Sequence, residues 1–223
     1  MQTKFSKTKK VPEHDITCEK AEELQQPIYI INNIEPKQDR DDFRAISLYG
    51  DVSEQMANET MQALLFFNHT RIESSHQEDG SLVEKTLPIK MYISTHGGIV
   101  SDMFSIIDIM ESIKGACPIE TIGVGKVMSA GVLILAAGTK GKRKIAKHCR
   151  VMLHNVMSGH HGSFPSLENE MRETKALQDM YFEFLCENTN LTRKKIKKLL
   201  INNVDIYLSA EEAIKYGIAD EIL

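Results

Sequence analysis

The sequence lacks any cysteine pattern that would build a metal knuckle or a disulfide framework. Cys18, Cys117, Cys149 and Cys186 are scattered over 223 residues, and no C-x-x-C pair occurs. That excludes a zinc knuckle and a thioredoxin-type centre. The thiols read instead as reduced, mostly buried groups of a cytosolic protein. Long apolar runs are also missing. The longest extends only from Ala130 to Gly138, whereas a membrane span needs about 20 residues. The basic start MQTKFSKTKK is followed by no apolar segment, so it does not read as a secretory signal. The acids Glu13, Asp15 and Glu19 argue against a transit peptide. The expected location is cytoplasmic, with no membrane partner. Neither sign of charge dominates: Lys+Arg is 27 against Asp+Glu 31, a net charge of -4. A general polyanion-binding surface is not expected, and nucleic acid is not an expected partner. No short-period repeat of the solenoid kind is present.

What is present is enough chain for one substantial core. A domain near this size buries roughly 70% of the surface its unfolded chain exposes. Residues 1–45 are polar and irregular, apart from an apolar island, Pro27 to Ile34, that reads as a short strand. Glu35 to Arg44 reads as a charged loop. Regular patterning then begins, so the expected division is a polar extension over 1–45 and one domain over 46–223.

Ala45 to Gly50 alternates like a strand, and Asp51 to Phe67 reads as a helix. Arg71 to Glu84 is polar, contains Gly80 and reads as a surface insertion. Ile89 to Ser94 is a strand, followed by the turn His96-Gly97-Gly98. A helix with Ser101 as its N-cap spans Ser101 to Lys114, its apolar face being Met103, Ile106, Ile107, Met110 and Ile113. A strand from Pro118 to Val124 ends in a turn at Gly125, and a very apolar helix covers Ser129 to Ala137. Gly138, Gly141 and five basic residues mark a loop or hairpin. Arg150 to His154 is a strand. Pro165 to Glu187 is a long helix with its proline in the first turn, and Thr192 to Leu200 is a basic helix. Ser209-x-x-Glu212 is a capping box, Gly217 suits the C′ position, and Ile218 to Leu223 is a final strand. Such alternation predicts an α/β fold with a largely parallel sheet.

Three residues invite chemistry. Ser129 lies between a strand end and an apolar helix, where free N–H groups can hold an oxyanion. Taken alone it reads first as an ordinary N-cap, because serine caps are common. His154 emerges where the apolar strand RVMLH reaches the surface, and a structural histidine is the plain alternative. Asp205 precedes the Ser209 helix and reads by itself as a loop cap. A base needs a nucleophile to activate and a carboxylate to orient it, so the three gain meaning only together. The glycines of Thr95-His-Gly97-Gly98 let backbone N–H groups approach a ligand, or simply make a tight turn. The histidine-rich pairs His148-Cys149 and His160-His161 have no metal-ligand spacing on one helix face. A Cys149/His154 pair is disfavoured because its odd spacing points the side chains to opposite strand faces. The run from Arg193 to Lys198 reads as a solvated helix face.

These segments, taken in order, resemble the ClpP family, the proteolytic subunits of the Clp protease. The similarity covers residues from about 45 to 223. It is strongest in IKMYISTHGGIVSDMFSIIDIMESIK, VMSAGVLILAAGTKGKR, RVMLHNV and YLSAEEAIKYGIADEIL. The resemblance implies a ClpP/crotonase fold, with repeated strand-strand-helix units and a protruding helical handle. It implies Ser129 as nucleophile, His154 as general base and Asp205 as orienting carboxylate. The backbone N–H groups of Gly98 and Ala130 would form the oxyanion hole. Also implied are stacked heptameric rings of identical subunits, an AAA+ unfoldase of the ClpX/ClpA/ClpC type, unfolded polypeptide substrates, and neither cofactor nor metal. The chain departs from the family where His96 replaces a proline, where Asn155-Val156 follows the histidine, where Lys126 precedes the serine, and before Ala45.

Two other functions stay open at this level. One is a catalytically weak or inactive ring subunit that modulates an active homologue, motivated by those departures. The other is a crotonase-fold enzyme acting on an acyl-CoA thioester, which would share the Gly-Gly turn. That enzyme does not need Ser129, His154 and Asp205 together, so their joint presence counts against it.

Overall fold

The computed structural model describes residues 44–77, 79–202 and 204–223. The expected Pro27 to Ile34 strand and nearly all of the polar extension lie outside them. Element order begins with β1 (Ala45–Tyr49), α1 (Glu54–His69), β2 (Ile72–His76), β3 (Leu82–Thr86) and β4 (Ile89–Thr95). It continues with α2 (Val100–Ile113), β5 (Ile119–Met128), α3 (Ala130–Ala136), β6 (Arg143–Ile145) and β7 (Arg150–Leu153). It ends with α4 (Phe164–Asn188), α5 (Arg193–Leu199), β8 (Ile206–Leu208), α6 (Ala210–Lys215) and β9 (Glu221–Ile222). Among these no helix is long and apolar enough to cross a membrane.

The main sheet has seven strands and is mostly parallel, as the alternating pattern predicted. Its path runs β1-β4-β5-β6-β9, and β7 leaves that path to pair with β5 on one side and β8 on the other. Only the β7–β8 pairing is antiparallel. The fork at β5 comes from a break in register. Ile93 faces Gly123, but Thr95 faces Val127, and Gly125 takes a φ of 65° between them. Residues Thr121 to Gly123 therefore pair with β6, while Lys126 to Met128 pair with β7. The turn expected at Gly125 is thus a bulge inside one ten-residue strand. Glycine supplies the positive φ without ending the strand.

The helices pack by the faces their periodicity marked. All five apolar residues of the predicted α2 stripe are buried. Every residue of α3 is buried, which explains why that helix showed no polar face. Two local expectations change. The N-cap of α2 is Ile99, without a side-chain cap bond, and Ser101 lies within the first turn. The polar stretch from Arg71 onward is a hairpin, β2 against β3, with Gly80 at a φ of 81° in its turn.

The basic loop after α3 is a structural staple. Gly141 N–H donates to Asp220 Oδ2 at 2.7 Å, and Arg143 Nε donates to the same oxygen at 2.9 Å. Buried Arg143 also donates to Ala136 O at 3.3 Å and Asn188 O at 2.7 Å, at the ends of α3 and α4. Burial pushes the Asp220 carboxyl up. The Arg143 hydrogen bonds and charge, with the Gly141 N–H, outweigh it and hold the group below the usual carboxylate range.

Candidate active site

Ser129 stands at the junction of β5 and α3. Among the described residues it is the one non-glycine with a positive φ, at 52° with ψ -120°. Such a conformation costs of order 1–3 kcal/mol and persists only where its surroundings impose it. Those surroundings are visible. Ser129 N–H donates to Met152 O of β7 at 2.8 Å, and the Gly97 turn presses on the other side. A Cβ on Gly97 would lie 2.6 Å from Ser129 Cβ and 3.0 Å from its Oγ. Only glycine leaves room for that hydroxyl.

Ser129 occupies the N-cap position of α3, but its side chain makes no cap hydrogen bond. The Oγ meets His154 Nε2 at 2.7 Å instead. The hydroxyl is therefore directed to the imidazole and not to the helix N–H groups. The partner comes from β7, whose register with β5 pairs Met128 with Met152. His154 follows Met152 by two residues and so leaves the strand on the same side. Both side chains are half-buried, reachable from solvent yet held by the sheet.

The strand ladder also brings Asp205 near. β7 and β8 pair Leu153 with Ile206 at the end of their ladder, so His154 and Asp205 are the next residues of the two segments. The Asp205 carboxylate is exposed, and no hydrogen bond joins it to His154 or to any other described residue. The structure therefore brings Ser129 and His154 into contact and leaves Asp205 as a cross-strand neighbour.

The two backbone donors sit beside the serine. Gly98 has a φ of 154°, and a Cβ there would meet Val52 O at 2.1 Å. Thr95 Oγ1 accepts from Gly97 N–H at 2.9 Å and so bridges His96 within the turn. Ala130 is the first residue of α3, so its N–H has no carbonyl one turn earlier in the helix. Neither N–H donates to a backbone carbonyl among the described residues.

Two neighbouring residues make bonds that the sequence does not mark. Asn155 Nδ2 donates to Leu200 O at 3.1 Å, tying the histidine strand to the segment that leads to Asp205. Gln178 Oε1 accepts from Val156 N–H at 2.7 Å and pins the chain after His154 to α4. Nothing in local pattern marks either, because each bond spans more than twenty residues. Other candidates fall away. Cys149 is buried, and burial pushes its thiol up to about 11, the opposite of an activated nucleophile. His160 Nδ1 faces Glu170 at 3.4 Å. In α5, Arg193 pairs with Asp179, and Lys195 lies over the Tyr216 ring.

A hydroxyl on a strained strand–helix junction, a hydrogen-bonded imidazole and two free N–H groups have the parts an acyl-transferring hydrolase needs. Comparison with known proteins narrows the class. The family model for the Clp protease matches residues 32–223. An ATP-dependent Clp protease proteolytic subunit from Deinococcus radiodurans is 34% identical over 180 residues, covering 81% of this chain and 80% of that protein. The chain belongs to the Clp protease family, and its activity class is that of a Clp-type peptidase.

Proposed function

We propose that the chain is a serine endopeptidase subunit of a chambered Clp-type protease. Ser129 is the nucleophile, His154 the general base and Asp205 the orienting carboxylate, with Gly98 and Ala130 N–H as the oxyanion hole. The observation that carries this reading is the 2.7 Å contact between Ser129 Oγ and His154 Nε2. His154 takes the hydroxyl proton as Oγ attacks a peptide carbonyl. The two N–H groups hold the tetrahedral oxyanion, each worth about 10²–10³ in rate. His154 then protonates the leaving amine, and water hydrolyses the acyl-enzyme.

Family membership supports ring assembly from copies of this chain and an ATPase partner. We take these to be stacked heptamers fed with unfolded polypeptide by an AAA+ unfoldase of the ClpX/ClpA/ClpC type. We take the location to be cytoplasmic. Ser129→Ala tests the reading. It is expected to abolish both hydrolysis of a fluorogenic peptide and labelling by a fluorophosphonate, with the oligomer intact. Hydrolysis that survives the substitution refutes it.

One observation favours a second reading, a ring subunit of low intrinsic activity that modulates an active homologue. It is the exposed Asp205 carboxylate, which makes no hydrogen bond to His154. Fluorophosphonate labelling separates the two. An active subunit labels by itself, whereas a modulating one stays unlabelled and co-purifies with a second ring subunit.

A further inference from the structure

Beyond His154, the chain and α4 border an open cleft of about 290 Å³. Ser158, Met171, Thr174, Lys175 and Gln178 line it. Its position relative to the site follows from the chain. Val156 and Ser158 are two and four residues beyond His154, and a residue advances at most about 3.6 Å. A polypeptide held at Ser129 thus reaches the cleft with a side chain within a few residues of the bond being cut.

The cleft is stiff on both sides. Val156 N–H is bound to Gln178 Oε1 at 2.7 Å, and the hydroxyls of Ser158 and Thr174 meet at 2.9 Å. The first bond also settles which way the Gln178 amide points. Only its oxygen can accept from the Val156 N–H, so Nε2 faces away. That Nε2 is buried and has no hydrogen-bond partner. A buried amide donor left unpaired is costly, so an acceptor brought to it is favoured.

The second donor is Lys175. Met171, Lys175 and Gln178 are spaced by four and three on α4, so they share one helix face. Among the described residues Lys175 has no ion-pair partner. Asp179, one turn further on, is taken by Arg193. The cleft therefore offers an apolar thioether, an ammonium without a counter-ion and an amide N–H without an acceptor. We propose that it receives the side chain of a substrate glutamate. The methylenes lie along Met171, and the carboxylate meets Lys175 Nζ. Gln178, whose Nε2 lacks an acceptor, lines the same cleft. The inference rests on the peptidase reading and adds to it a preference for acidic side chains near the cut.

The test has a binding arm and a hydrolysis arm. Fluorescent hexapeptides carry one glutamate, moved position by position through a leucine–alanine background. Their binding to the Ser129→Ala assembly is read by anisotropy. At one position glutamate is expected to bind about tenfold tighter than leucine, the gain of one charge-assisted hydrogen bond. Lys175→Met in that background is expected to erase the preference, and Lys175→Glu to shift it to lysine. The wild-type protein is expected to show the same selectivity in kcat/KM. A binding profile with no glutamate preference at any position overturns the proposal, as does a preference that survives Lys175→Met. Hydrolysis without selectivity overturns the cleft assignment alone. Selective binding, with no hydrolysis of any peptide by the wild type, upholds the cleft and overturns the peptidase reading.

Discussion

Two aspartates near the C-terminal end of the chain present opposite cases. Asp220 is locked. It accepts from the backbone N–H groups of Gly141 and Arg143 and from the Arg143 guanidinium. Through Arg143 it joins the ends of α3 and α4 to the sheet. Asp205 is exposed, and no described residue donates to it, although it and His154 both flank the last pair of the β7–β8 ladder. A carboxylate whose lone pairs are filled can only support structure. One with its lone pairs open can take the imidazole N–H when the base becomes charged, and it contributes little to stability before then. The same division runs through the site. Ser129 is fixed by Met152, Gly97 and His154, whereas the carboxylate side is left to the exposed segment after Leu200.

The contrast can be broken most directly at Asp205. Asp205→Asn is expected to lower kcat about 10³–10⁴-fold and to leave the melting temperature of the assembly unchanged, as fits an exposed side chain. A loss below tenfold in steady-state peptide hydrolysis would remove Asp205 from the mechanism. The fixed half is tested by Gly97→Ala. A Cβ there collides with Ser129 Cβ and with Met128 O at 3.0 Å, at a φ of 105°. A loss of about 3 kcal/mol is expected from the clash and the strained backbone, read from the urea midpoint together with lost fluorophosphonate labelling. Full labelling in that variant would show that the turn is looser than described.

The smallest expected effect is at Asp220, and it depends on pH. Its folded-state pKa is depressed, so its contribution is fully present above the unfolded carboxylate pKa of about 3.9. The contribution fades as pH falls through the lower folded value. Asp220→Asn is therefore expected to cost about 2 kcal/mol at pH 7. Wild-type and variant urea midpoints should converge below about pH 4. A difference that persists undiminished into that range would assign the cost to packing instead of charge.

Much of this frame was legible from pattern, for a physical reason. α2 shows its buried stripe because one face meets the core, and α6 shows its capping box because Ser209 and Glu212 bond reciprocally within one turn. The hairpin of β2 and β3 was not legible. Every residue of β3 is exposed, so no period-two alternation of apolar and polar residues marks it. Gly125 reads as a turn in the sequence because a glycine with positive φ serves equally a turn and a bulge, and only the pairing of β5 with β7 selects the bulge. The departures from the family pattern also took on meaning. Thr95 bonds across His96, the residue that replaces the family's proline, and Asn155 ties the histidine strand to Leu200.

By itself, the sequence determined the alternation of strands and helices, the faces those helices bury, and the presence in order of a serine, a histidine and an aspartate. It also carried the two glycines that no other residue could replace. Only the tertiary structure decided that Ser129 turns from its helix to His154, that Asp205 stays uncommitted, and that Lys175 and Gln178 share a cleft. Helix faces and caps depend on neighbours within a turn, so local order specifies them. A bond across 25 residues, such as that from His154 to Ser129, exists only once β5 and β7 have chosen their register.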